Sequence, residues 1–228
     1  MTDMSDAILD AARMHVPFDG WSEASFAASV SDAGVGMAEA RALFPRGAVD
    51  LAVAFHRRGD RALAEALAAT DLGAMRFRER VAHAVKIRLD LVEDDKEAVR
   101  RGATLFALPP YAADGAKLVW ETADVIWTGL GDTSRDLNWY TKRATLAGVY
   151  SATVLYWLGD QSEGHGASWA FLDRRIGDVM KIEDVKARVR RNALLKPFAA
   201  GLDRFAASVR APRGAGQEDL PGRWTPPA

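Results

Sequence analysis

No set of reactive side chains in this sequence is spaced for covalent or metal chemistry, whereas its large aromatics are grouped as a binding site would need. The four histidines, His15, His56, His83 and His165, lie in four separate segments, and none has a second His four residues away, the spacing that puts two ligands on one helix face. No Glu-x-x-His pair of a di-iron bundle occurs, so neither a metal nor a cofactor is expected. His165, in the glycine-flanked stretch QSEGHG, reads as a solvated loop residue. Glu93, Asp94 and Asp95 read as a solvated helix end, because consecutive carboxylates on a helix point in different directions. The absence of cysteine excludes disulfides, thiolate metal sites and thiol nucleophiles. The string TGLGD, residues 128–132, lacks the third glycine and the preceding strand of a dinucleotide fingerprint, and there is no nucleophile elbow. The chain is therefore read as non-catalytic. What remains is apolar bulk: of seven tryptophans, Trp120, Trp127, Trp139, Trp157 and Trp169 fall within fifty residues. Aromatics at helical spacing are usually core. The consecutive rings of Trp139 and Tyr140, however, start a helix and point about 100° apart, so both do not easily face one core. A cavity between helices lined by apolar residues would suit a hydrophobic tail with one polar head.

The elements that would position these residues are helical throughout. Ser134 or Asp136 can cap a long helix starting at Leu137, which Gly148 alone interrupts before Gly159. Its apolar residues cover most of the circumference, so it is expected to be a core helix packed on several sides. A loop over 159–166 reverses the chain into a second helix, with Trp169, Leu172, Ile176 and Val179 on one buried face. Ala112 to Leu130 reads as a buried helix ahead of both. The expected cavity lining from these three is Leu118, Trp120, Val149, Tyr150, Val154, Trp157, Leu172 and Ile176.

Upstream, Ile8, Leu9, Ala12 and Val16 mark a short helix ended near Pro17. Ser22 caps a second helix to about Asp32, and a third runs from Met37 to Phe44 before Pro45. This is helix-turn-helix spacing, but residues 22–47 hold two Arg against three acids, and a reading head without excess cations does not bind a polyanion. No nucleic acid partner is expected. In the alanine-rich stretch 48–70, Gly59 marks a possible helix boundary. From Thr70 to Leu91, Leu72, Met75, Val81, Val85 and Leu89 recur at helical intervals, and Arg76, Arg78, Arg80, Lys86 and Arg88 read as a solvated basic face. Another helix spans Lys96 to Leu105.

The string DTSRDLNWYTKRATLAGVYSATVLYWLGD followed by WAFLDRRIGDVMK resembles the signature region of the ubiquinone-biosynthesis accessory family, coenzyme Q biosynthesis protein nine. Its core is Asp136, Asn138, Trp139, Tyr140, Thr141 and Arg143. The resemblance implies an all-α, TetR-like helical fold with an N-terminal helix-turn-helix-like segment and a C-terminal amphipathic helix. It also implies a homodimer that takes up an isoprenoid quinone lipid and presents it to the demethoxyubiquinone hydroxylase. The partner surface it implies comprises Asp124, Ile126, Trp127, Trp139, Tyr140 and Arg143. The alternative is a TetR-type transcriptional regulator with a hydrophobic effector.

The expected organisation is a helix-turn-helix-like segment over 1–50, a helical lipid-binding core over 51–182, a basic amphipathic region over 183–211 and a disordered tail over 212–228. Residues 174–213 hold eleven Lys and Arg against four acids, whereas residues 1–50 hold three Arg against eight acids. A basic amphipathic segment suits peripheral contact with a membrane, and Arg190, Arg191, Leu194, Leu195, Lys196, Phe198, Leu202 and Phe205 are its expected membrane-facing set. Pro197 splits or kinks it. The amino terminus matches neither a secretory signal nor a mitochondrial presequence, which, with the resemblance, leads to the expectation of a bacterial protein, cytoplasmic and peripheral on the inner membrane.

Overall fold

Capping and small-residue punctuation set the helix boundaries. The Ser22 hydroxyl accepts from the Ser25 backbone N–H at 3.2 Å while Ser25 returns the bond to the Ser22 N–H at 3.0 Å, so two orphan donors are satisfied at once. Asp136 caps a later helix in the same way, accepting from the Asn138 N–H at 3.0 Å. The computed structural model describes residues 4–191, of which residues 182–191 are described by backbone alone. The described residues contain α1 (Met4–Asp19), α2 (Glu23–Asp32), α3 (Met37–Leu43), α4 (Ala48–Ala69), α5 (Phe77–Asp90), α6 (Lys96–Phe106), α7 (Ala112–Gly129), α8 (Leu137–Gly159) and α9 (Gly166–Arg191), with no strand.

Two apolar clusters hold these helices together. The first gathers Ile8, Leu9 and Val16 of α1, Phe26 and Val30 of α2, Leu51 and Phe55 of α4 and Ala98 of α6. The second gathers Leu63 and Leu67 at the far end of α4, Val85 and Leu89 of α5, Ile126 of α7, Leu146 and Trp157 of α8, and Leu172 and Ile176 of α9. α4 belongs to both, and Val99 packs against each, so the two halves share a long helix and a side chain.

Four expectations change at this level. α1 does not stop at Pro17 but runs to Asp19. Proline removes only the bond to the Arg13 carbonyl, the chain still closes with Gly20 N–H donating to Val16 O at 2.9 Å, and Arg101 takes the Pro17 carbonyl at 3.1 Å. Gly59 is not a boundary: α4 passes through it because the Arg88 guanidinium lies where a Cβ would stand, at 2.7 Å. Helix α5 begins seven residues later than Thr70, at Phe77, after turns over 70–76. Finally, α8 is packed along one face rather than on several sides. It buries Leu146, Val149, Tyr150, Thr153 and Trp157, and exposes Ala144, Thr145, Gly148, Leu155 and Tyr156 on the opposite face. Small residues make up most of the exposed strip, and alanine and glycine are poor evidence of burial.

Candidate ligand-binding site

A cavity of about 560 Å³ lies between the two clusters, walled by α4, α5, α6, α7 and α8. Small side chains make the room: Gly102 and Ala103 on α6, Gly115 and Ala116 on α7, and Ala147, Gly148 and Ser151 on α8 face it. Trp21, Phe55, Leu89, Val92, Leu118 and Phe106 supply apolar walls. Leu155, 66 % exposed, marks where the cavity meets solvent, while the buried Arg88, Leu89 and Leu118 mark its closed end. This size falls within that of sites that bury small ligands.

The closed end is polar. Arg88, 3 % exposed, donates from Nε to Asp60 Oδ1 at 2.8 Å and from Nη2 to the His56 carbonyl at 3.0 Å. The Thr122 hydroxyl sits 3.0 and 3.1 Å from the two Asp60 oxygens, and His56 Nε2 lies 2.8 Å from Thr122 Oγ1. Tyr150 faces Thr122, Arg88 and Asp60 from α8. Burial, reinforced by the Arg88 charge, pushes the His56 imidazole down to about 3. Burial also raises the Tyr150 phenol above its ordinary range and raises the Asp60 carboxyl against the pull of Arg88. The permanent charge of Arg88, 2.8 Å from Asp60, makes these two an ion pair, and burial keeps the imidazole and the phenol neutral.

Of the expected lining, Leu118, Tyr150 and Val154 face the cavity. Val149, Trp157, Leu172 and Ile176 are packed in the second cluster instead, and Trp120 lies tilted beside Trp139 and Tyr140, with ring centroids 5.8 and 6.3 Å away. Large side chains fill space, so the lining was to be sought beside small residues rather than among the largest ones. The polar end was missed altogether. Arg88, assigned to a solvated face, lies three residues after Val85 and seven after Val81, on the buried side of α5.

The expected partner surface is divided. Ile126 is fully buried, Trp127 is 8 % exposed, donating from Nε1 to the Lys142 carbonyl at 3.1 Å, and Arg143 is 2 % exposed. Arg143 bridges Asp124 and Asp132, reaching the latter at 3.1 Å, and lies over the Trp139 ring at 4.1 Å. These three residues are structural, because a guanidinium held by two carboxylates on α7 and in the following turn fixes α8 to α7. Asp124, Trp139 and Tyr140 are only partly covered. Burial opposes ionisation of Asp132, but hydrogen bonds from Lys142, Ser134 and Arg143 outweigh it and hold the carboxyl down at about 2.

His165 is not a solvated loop residue. Its side chain is 16 % exposed, it pairs with Glu93 at 2.7 Å, and its backbone adopts a left-handed φ of 54° next to Gly164. On the helix-turn-helix-like segment, Arg41 of α3 lies over the Phe26 ring and pairs with Glu23, which neutralises its charge at the surface. Of the expected membrane-facing set, Arg190 and Arg191 belong to the backbone of α9, and Leu194, Leu195, Lys196, Phe198, Leu202 and Phe205 lie outside the described residues. Among the described residues no three His, Cys, Asp or Glu are grouped to hold a metal, and no helix is long and apolar enough to cross a membrane.

A solved structure with the same arrangement of helices is the TetR transcriptional regulator from Nitrosomonas europaea ATCC 19718, with a TM-score of 0.63 over 76 % of this chain and 96 % of that one. At 20 % identity this likeness establishes a TetR-like all-helical fold and nothing more. The COQ9 family model matches residues 112–183. The chain is 32 % identical to the ubiquinone biosynthesis protein COQ9, mitochondrial, of Drosophila melanogaster, over 77 % of this chain and 55 % of that protein. It is 31 % identical to the Rattus norvegicus protein of the same name, over 80 % and 61 %, and 30 % identical to the Homo sapiens one, over 80 % and 59 %. The chain thus spans little more than half the length of these relatives. Their names also overturn the expected bacterial, inner-membrane location, since the proteins matched are mitochondrial. The match to residues 112–183 covers α7 and α8, which form one side of the cavity, so over these helices the chain is similar to the COQ9 family.

Proposed function

We propose that this chain is a non-catalytic lipid-binding accessory protein of ubiquinone biosynthesis, which takes up a polyprenylated quinone intermediate and presents it to the demethoxyubiquinone hydroxylase. The observation that carries this reading is the cavity of about 560 Å³ whose walls are apolar and whose mouth lies at the exposed Leu155. A buried CH₂ is worth about 0.8 kcal/mol, so an isoprenoid tail leaves a bilayer only for a site that replaces its apolar surroundings. The basic segment 183–211 would hold the protein at an anionic membrane surface, and a homodimer would be the carrier. Asp124, Trp139 and Tyr140 are the partly exposed part of the hydroxylase-facing set, and an aromatic pair of this kind suits an interface hot spot.

Mass spectrometry of organic extracts from protein purified without detergent tests the reading. Near-stoichiometric quinone or other isoprenoid lipid is expected, directly or after incubation with quinone-loaded liposomes. An empty extract after both treatments would remove it.

A further inference from the structure

The hydrogen-bond roles at the closed end of the cavity define what kind of head group it receives. Asp60, held by Arg88 Nε, and the Leu118 carbonyl, 3.1 Å from Thr122 Oγ1, both only accept, so the single proton of the Thr122 hydroxyl goes to one of them. The Thr122 oxygen then accepts from His56, which places the imidazole proton on Nε2 and leaves Nδ1 as an acceptor. Tyr150 is hydrogen-bonded to the same hydroxyl, gives its own proton to the Thr122 oxygen and keeps lone pairs on its phenol oxygen. Arg88 and Asp60 cancel in charge, and His56 and Tyr150 are neutral. His56 and Tyr150 both line the cavity, whereas Asp60 and Thr122 stand behind them.

We infer that this end is a head-group subsite for a neutral, hydroxyl-bearing amphiphile of the phenol or reduced-quinone type, entering head first with its O–H donated to His56 and Tyr150 and its tail running out past Leu155. The inference rests on the carrier reading and adds to it both orientation and selectivity. A carboxylate or phosphate brings only acceptors and a negative charge to lone pairs in an apolar surround, where neither is compensated. A fully oxidised quinone brings carbonyls, which also lack the donor. The tail lies against Phe106, Val119 and Val154, which offer no hydrogen bond and therefore no selectivity beyond length.

The test uses the full chain, stripped of lipid, with three probes: 3-pentadecylphenol, its methyl ether and palmitate. Trp21 stands in the cavity wall, so binding is read by tryptophan fluorescence. At pH 7 the phenol is expected to bind about tenfold more tightly than either of the others, the worth of one buried hydrogen bond. Tyr150→Phe should bring the phenol toward the affinity of the ether and leave the ether unchanged. The three-probe comparison on the unaltered chain decides the matter even where that variant does not fold. Equal affinities for phenol and ether, or tighter binding of palmitate, would overturn the head-group assignment and leave the carrier reading intact. Failure of all three probes to bind would overturn both.

Discussion

Single side chains here act through what burial does to their charge. His56 is neutral in the fold, held down to about 3, against an ordinary value of 6.5 in the unfolded chain. Between those values the unfolded chain binds the extra proton and the folded one does not, so this contribution is complete above pH 6.5 and is lost as the pH falls toward 3. Urea denaturation should show stability dropping through that window with a slope of at most about 1.4 kcal/mol per pH unit from this residue. His56→Gln should flatten that part of the profile. Asp132 carries the same sign for a different reason: its depressed carboxyl stabilises the fold above about pH 4 and ceases to as the pH falls through about 2. Arg143 marks the difference between a surface and a strut. Arg143→Ala leaves Asp132 buried with Lys142 as its one remaining cationic partner and should cost about 3 kcal/mol in chemical denaturation, rather than acting on partner binding in an otherwise sound protein. The sequence could not separate these roles, because an arginine beside two aromatics reads equally as an interface anchor or as a buried bridge. Only the positions of Asp124 and Asp132 decide between them.

At the scale of elements, most helices were legible and the places where one helix touches another were not. Ser22, Asp136, Gly34 and the Pro109-Pro110 pair punctuate the chain by local chemistry, so the boundaries of α2, α3, α6, α7 and α8 follow from residues adjacent in sequence. Gly59 was misread because its reason lies 29 residues away, in Arg88. The cavity was illegible for a similar cause: it is made by small residues on three helices, and a missing side chain leaves no signal in a periodicity of large ones. Two glycines give a direct check. At Gly59 a Cβ would meet the Arg88 guanidinium at 2.7 Å, and since that guanidinium is fixed by Asp60, Gly59→Ala should lower the melting temperature. At Gly148 a Cβ meets nothing within 4 Å, so Gly148→Ala should gain up to about 1 kcal/mol from helix propensity alone. Equal effects at both positions would mean that Arg88 does not lie against α4.

For the whole molecule, the cavity separates two clusters that otherwise meet through α4 and Val99, and this links loading to stability. A lipid lying between them binds the folded state alone, so it should raise the melting temperature by mass action. The same position allows binding and partner recognition to be separated. Ala147 is half-buried and faces the cavity from α8, so Ala147→Phe would fill the void with a ring that replaces part of the ligand. Filling an existing space adds apolar contact, so the variant is expected to melt no lower than the lipid-stripped unaltered chain while yielding an empty lipid extract. Trp139→Ala should do the reverse. Its ring stands outside the cavity, edge to face with Tyr140 at 4.8 Å, so lipid content should persist while binding to the hydroxylase is lost. An Ala147→Phe protein that still carried stoichiometric lipid would place the tail elsewhere on the molecule. A Trp139→Ala protein that lost its lipid along with its partner would make the aromatic cluster part of the lipid site.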